Sequence, residues 1–343
     1  MTVSAQSVRK YSNEFLNIGV DAAAFGMANA VTATTGDVNS GYWNPAGLVK
    51  MGDNEIGLMH ASYFANIANY DYLAGAMPLD DKSAVGFSVI RFGVDDILNT
   101  TQLIDEQGNI DYNRISLFSA ADYAFTFSYA RKLPLDGFTY GVNAKVIRRI
   151  IGDFATSWGF GFDVGIQFDA GNNWQFGAMA RDITTTYNTW NIDEDEFKTI
   201  QNAVPGENQK LPETTEITLP KLQVGLAKTF TIRHDFDFKT EVDLNMRFAE
   251  TNDLISTSAV SVSPALGFEI GYIDLVYLRG GVGNFQNVEQ FNGDYRVGFQ
   301  PGFGVGFKYK GIHVDYAFTD IGDQSVALYS NVFSLKVDWS IFR

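Results

Sequence analysis

The side chains best suited to chemistry in this chain are few. Three histidines occur, His60, His234 and His313, and there is no cysteine. A zinc-type site needs three or four such ligands brought together, usually with two of them a few residues apart. These histidines are widely separated and read as strand or turn residues facing water. The acidic run Asp193-Glu194-Asp195-Glu196 lacks the alternating Asp-x-Asp-x-Asp-Gly spacing of a calcium loop and reads as a solvated acidic segment. Gly302-Phe303-Gly304-Val305-Gly306 has the glycines of a phosphate-binding loop, but no helix follows to receive a phosphate. No serine sits in a nucleophile elbow. Arg148 and Arg149 end an alternating segment, where they suit acidic loops, anionic lipopolysaccharide or simple interfacial anchoring. The residues imply no catalytic site, no metal and no cofactor.

The elements around these residues must therefore carry the function. The formal net charge is −15, and no basic stripe is present to neutralise phosphates, which argues against nucleic acid. Hydrophobic residues make up 45% of the chain at a mean hydropathy of −0.07. No window approaches the roughly 18–20 consecutive apolar residues of a spanning helix. Yet there are 28 Phe, 16 Tyr, 5 Trp and 33 Gly. Aromatics serve as interfacial girdles in transmembrane barrels, and glycine relieves crowding where strands bend or a lumen is filled.

From residue 55 onward the chain alternates with the period of a strand. Phe333, Leu335, Val337, Trp339 and Ile341 fall on one face, with Ser334, Lys336, Asp338 and Ser340 on the other. Trp158, Phe160, Phe162, Val164, Ile166 and Phe168 repeat the pattern. Many such segments reach about ten residues, the span of a tilted strand across a bilayer. Fourteen candidate strands can be drawn, joined alternately by short turns, such as Asp80-Asp81 and Lys310-Gly311, and by long connections at 95–118, 184–218, 249–263 and 285–299. Sorting of short and long loops to opposite ends is the layout of outer-membrane barrels, with the short turns periplasmic. The expected fold is all-β: a transmembrane antiparallel barrel of fourteen strands over 55–343, in the outer membrane and in contact with the lipid bilayer and lipopolysaccharide.

Residues 7–54 do not alternate. Asp21 to Ala33 is small and apolar, and Asn44-Pro45-Ala46-Gly47 reads as a sharp, defined turn. This segment is expected to plug the barrel. Before it, Val3 and Ala5 stand at the −3 and −1 positions of a small-residue cleavage site ahead of Gln6, so 1–6 reads as the remnant of a signal peptide.

The stretch Ala24-Phe25-Gly26-Met27-Ala28-Asn29-Ala30, then Gly36-Asp37, then Trp43-Asn44-Pro45-Ala46-Gly47-Leu48 resembles the N-terminal signature of the PorV/PorQ family, within the FadL-like group of fourteen-stranded outer-membrane proteins. Relatives often carry Arg and further glycines where this chain has Ala23, Ala24 and Asn29. The resemblance implies a role in type IX secretion of Bacteroidetes-type bacteria, with other outer-membrane secretion proteins and cargo C-terminal domains as partners. It marks Gly26, Met27, Asp37, Asn44, Pro45, Ala46 and Gly47 as a plug or gate motif. The FadL-like alternative is a transporter of hydrophobic small molecules. Tyr187, Trp190 and Phe197, aromatics on a polar background in the longest connection, are the expected partner-binding surface, together with 95–118. Inward positions such as Asp163, Gln167, His313, Asp315 and Lys336 would line a polar lumen, and Lys308, Lys336, Asp163 and Asp315 are candidates for a charge network holding the plug.

Overall fold

The computed structural model describes residues 12–63, 67–104, 109–196, 198, 214–290, 293–319 and 330–339. The signal-like residues 1–6, Phe197 and the final Ile341 lie outside the described residues.

Strong β formers in alternation produce the wall. In chain order its first seven staves are β1 (Glu55–Tyr63), β2 (Ala68–Asp80), β3 (Ser83–Asn99), β4 (Ser116–Lys132), β5 (Phe138–Ile151), β6 (Ala155–Gly171) and β7 (Trp174–Arg181). Two shorter strands follow, β8 (Thr186–Ile192) and β9 (Thr215–Thr218). The remainder is β10 (Lys221–Ile232), β11 (Phe236–Arg247), β12 (Ile255–Ser256), β13 (Ser261–Tyr272), β14 (Val276–Glu289), β15 (Tyr295–Tyr309), β16 (Ile312–Thr319) and β17 (Ser330–Asp338). All pairings are antiparallel, and β1 closes against β17 from Glu55 opposite Asp338 to Ser62 opposite Asn331. Leaving aside β8, β9 and β12, which pair onto the rim, fourteen staves complete the ring. Closure removes every edge, so the wall's backbone groups are paired within the sheet, as a bilayer requires.

Alternation puts the apolar side chains outward. Trp158, Phe160 and Phe162 are 50%, 59% and 49% exposed, while Ser157, Asp163 and Gln167 on the opposite face of the same strand are buried. The outward face meets lipid, and the inward face meets residues 12–54.

Several expected long connections are shorter than the sequence suggested. β3 continues to Asn99 because a one-residue bulge between Val94 and Ile97 absorbs the acidic pair Asp95-Asp96, after which Ile97 and Leu98 pair with Phe118 and Leu117. Asp96 takes a positive φ of 57° there, which breaks the alternation a reader follows without ending the strand. In 184–218, β7 stops at Arg181, and positive φ values at Asp182 and Thr185 redirect the chain. The Thr- and aromatic-rich β8 then pairs with the upper part of β6, and β9 with β8.

Between Ser12 and the first stave lie short helical turns: Glu14–Asn17, α1 (Ala22–Gly26), α2 (Ser40–Trp43) and Pro45–Lys50. The side chains of Phe25, Trp43 and Leu48 are buried, as are Tyr63, Tyr70, Tyr72 and Ile90 of the wall.

Candidate functional site

Residues 12–54 bond to the inner wall in two chemically distinct ways. Along β5–β7 the wall's partners in the segment are neutral backbone carbonyls. Pro45 opens its 3-10 turn, where a missing N–H costs nothing, and Asn44 caps it, its Oδ1 accepting from Ala46 N at 3.2 Å. The Asn44 amide donates to Thr32 O at 3.0 Å and, in the wall, to Ile166 O at 3.1 Å. Gln167 Nε2 donates to Thr32 O and Thr35 O, Asn143 Nδ2 to Gly41 O at 2.9 Å, and Arg181 Nη2 to Tyr42 O at 2.8 Å. Wall glycines allow this approach. A Cβ on Gly141 would strike the Pro45–Ala46 peptide, on Gly165 the Asn44 side chain, and on Gly177 the Thr32–Ala33 backbone.

Around β11–β17 carboxylates make most of the contacts, as ion pairs with Lys336 and as hydrogen bonds with backbone N–H and hydroxyl groups. Lys336 Nζ lies 2.6 Å from Asp37 and 3.4 Å from Asp21. Ser334 Oγ donates to Asp21 at 2.8 Å and accepts from Ala22 N. Asp243 accepts from the N–H groups of Val31 and Thr32 and from the Thr32 hydroxyl, and Glu241 accepts from Ala33 N and the Thr34 hydroxyl. Burial raises the Asp37 carboxyl, but the Lys336 ammonium beside it and the Asn39 N–H together outweigh burial and leave its pKa below the ordinary value. Gly26 approaches the Gly304 backbone, while Met27 fills the space over Gly267 and Gly281.

The motif residues named from sequence thus all meet the inner wall or each other, but they do not form one cluster. Asn44, Pro45 and Ala46 meet β5 and β6, Gly26 and Met27 meet β13–β15, and Asp37 meets β17. Gly47 stays within the segment, since a Cβ there would strike Thr35 O.

Among the described residues, two cavities lie inside the ring beside this segment. One, of about 300 Å³, includes Asp37, Arg279, His313 and Lys336 and lies towards the short turns. The other, of about 370 Å³, includes Arg181, Gln223, Asn245 and Arg247 and lies where the long connections depart. Trp43 borders both. It is buried, its Nε1 donates to Val20 O at 3.0 Å, and its ring meets Tyr42 edge-on at 4.9 Å. This partition was not singled out from sequence, because a tryptophan beside a turn carries no pattern that marks it.

Other expectations need correction. Of the proposed charge network, only Lys336 touches the N-terminal segment. Lys308 bonds Asp274 in a turn, Asp163 holds Lys145 at 2.8 Å, and Asp315 holds Arg279 at 2.5 Å. Arg279, absent from that reading, bridges Glu269 and Asp315. Tyr187 and Trp190 are strand residues rather than loop residues. Tyr187 stands opposite the lipid-facing Phe160 and is 58% exposed, whereas Trp190 stands opposite the inward Ser157 and lies under the Arg149 guanidinium. Arg148 and Arg149 take opposite faces: Arg148 covers the Trp158 ring, and Arg149 pairs with Asp122 and Glu216. His60 bonds Asp71 on the outer face, His234 lies between β10 and β11, and His313 borders the inner cavity towards the short turns. Among the described residues no group of His, Asp and Glu has the arrangement of a metal site.

The family described as type IX secretion system protein PorV matches residues 3–198. Among solved structures, the P. putida toluene transporter TodX superposes with a TM-score of 0.58 at 12% identity, covering 94% of this chain and 99% of that one. The CymD monoaromatic hydrocarbon channel gives 0.57 at 11% identity, over 94% and 98% of the two chains. A Pseudomonas aeruginosa FadL homologue gives 0.52 at 12% identity, over 93% and 98%. At these identities the likeness is one of fold. No curated protein sequence matches.

Proposed function

Because this chain belongs to the PorV family of type IX secretion system proteins, we propose that it works in the outer membrane as a plugged, protein-binding barrel. In this reading residues 7–54 close the lumen, and the surfaces at the long-connection end engage cargo C-terminal domains or other secretion proteins. Tyr187 on the outer face of β8 and the connection after β3 are the proposed contact points. The observation that carries the reading is the filled lumen, with hydrogen bonds and ion pairs from residues 12–54 to staves on opposite sides of the ring.

A transporter of hydrophobic molecules is the competing reading, and the fold likeness to hydrocarbon channels is its support. Such a transporter needs an apolar pocket within the barrel or a lateral opening. Both internal cavities described above are instead bordered by charged and amide groups, which favours the protein-binding reading.

The test is to tag the protein at its native locus, extract it in mild detergent and identify what co-purifies. Secreted proteins sharing a C-terminal domain, or a large translocon barrel, are the expected partners. Recovery of the barrel alone, carrying fatty acid or another hydrophobic ligand, would reverse the assignment.

A further inference from the structure

We infer that the cavity at the long-connection end binds a small hydroxylated organic anion, with Arg181 receiving its carboxylate or phosphate group. Arg181 is only 9% exposed. Its hydrogen bonds go to Gln223 Oε1 at 2.6 Å and Tyr42 O at 2.8 Å, and its guanidinium lies 4.6 Å from the Tyr42 ring centre. All of these partners are neutral, and among the described residues no carboxylate forms an ion pair with it. A charge withdrawn from water without a counter-ion is costly, and an oxyanion in the adjoining cavity supplies that counter-ion in the planar geometry a guanidinium prefers.

Two more cations border the same cavity, Lys221 and Arg247. Their nearest paired carboxylates, Glu14 and Asp253, stand at 4.0 Å, the long limit of an ion pair. The contrast with the other cavity is informative. There Lys336 and Arg279 each hold two carboxylates at 2.5–3.4 Å, and Lys239 and Lys308 each hold one at 2.8 Å, so among the described residues each of its lysines and its arginine has a close carboxylate. A local surplus of positive charge in a chain of net charge −15 points to an anionic guest. The rest of the lining accounts for the hydroxyls. Gln223, Asn245, Asn284 and Gln300 supply amide groups and Thr319 a hydroxyl. A cavity of about 370 Å³ is within the range of small-molecule sites.

Isothermal titration of the full-length protein in detergent, with glucuronate, glucose 6-phosphate, inorganic phosphate and glucose as probes, tests the inference. The two sugar anions are expected to bind at least tenfold more tightly than either glucose or inorganic phosphate. Arg181→Gln is expected to abolish binding. Since Arg181 also bonds the Tyr42 carbonyl, Lys221→Gln with Arg247→Gln serves as the second variant, weakening binding at least tenfold and flattening its salt dependence. No binding of either sugar anion by the folded wild type, equal binding of glucose, or unchanged affinity in the double variant would overturn the inference. Equal binding of inorganic phosphate would overturn the hydroxyl requirement. The readout is solute binding, so it stands or falls apart from the protein partners proposed above.

Discussion

The two sides of the barrel hold the same N-terminal segment by different physics. Along β5–β7 amide groups and the Arg181 guanidinium meet backbone carbonyls, and glycines bring the two backbones close. Around β17 a buried lysine meets two aspartates. The neutral side is specified by shape: it depends on what is absent from Gly141, Gly165 and Gly177. The ionic side is specified by charge, which acts over longer distances and tolerates small shifts but responds to protonation. One segment anchored in both ways has a fixed position from shape and a condition-dependent grip from charge.

Breaking the ionic side should have the largest effect. Lys336→Met leaves Asp21 and Asp37 without their cation, and removing one partner of a buried pair costs about 3–5 kcal/mol. The midpoint of thermal unfolding in detergent, followed by the gel shift between folded and unfolded barrel, should fall accordingly. An unchanged midpoint would mean that the ionic grip is dispensable. Filling the neutral side should come next. Gly141→Val forces a side chain into the Pro45–Ala46 peptide, and overpacking of this kind costs about 1–3 kcal/mol. Here displacement of the segment is the sharper readout: a single cysteine at Val38, in a chain with no cysteine of its own, should become reactive to a water-soluble maleimide. Asn44→Ala removes the cap together with the bond to the wall and should cost about 1–2 kcal/mol, without changing the response to pH.

Acidification separates the two sides without mutation. The folded-state pKa of Asp37 lies below its ordinary value of 3.8. Its contribution is therefore complete above that value and is lost as pH falls through the lowered one. An acid titration of the unfolding midpoint should show this loss in the wild type and not in Asp37→Asn. The smallest effect on stability belongs to Tyr187→Ala, within about 0.5 kcal/mol for an exposed position. In the proposed function the same change weakens partner recovery, and a pull-down with normal yield would remove Tyr187 from the contact surface.

Much of the barrel could be read from sequence because alternation and loop length are local signals, and both survive in a single chain. The outward row Trp158 to Phe168 and the inward Lys336 and Asp163 follow from parity alone. What could not be read depended on partners distant in sequence. Lys308 and Lys336 look alike as inward lysines, yet one reaches a turn and the other the N-terminal segment, and only the register decides. Arg148 and Arg149 looked like a pair because they are adjacent, whereas a strand sends adjacent residues to opposite faces. The strand at 186–192 was hidden inside the long connection 184–218, because its pairing with the upper part of β6 is a contact distant in sequence. Trp43 stands in the family signature, but its place between the two cavities could not be read there, since a partition is a property of what surrounds it.

The position of Lys336 has a consequence for assembly order. It sits on β17, the stave that completes the ring by pairing with β1, while the two aspartates it neutralises, Asp21 and Asp37, belong to the beginning of the chain. Until the last stave docks, both carboxylates lack this cation. The first and last parts of the chain therefore check each other: closing the wall also delivers the cation to the two carboxylates, and a barrel stalled one strand short lacks the ionic part of its grip on the interior.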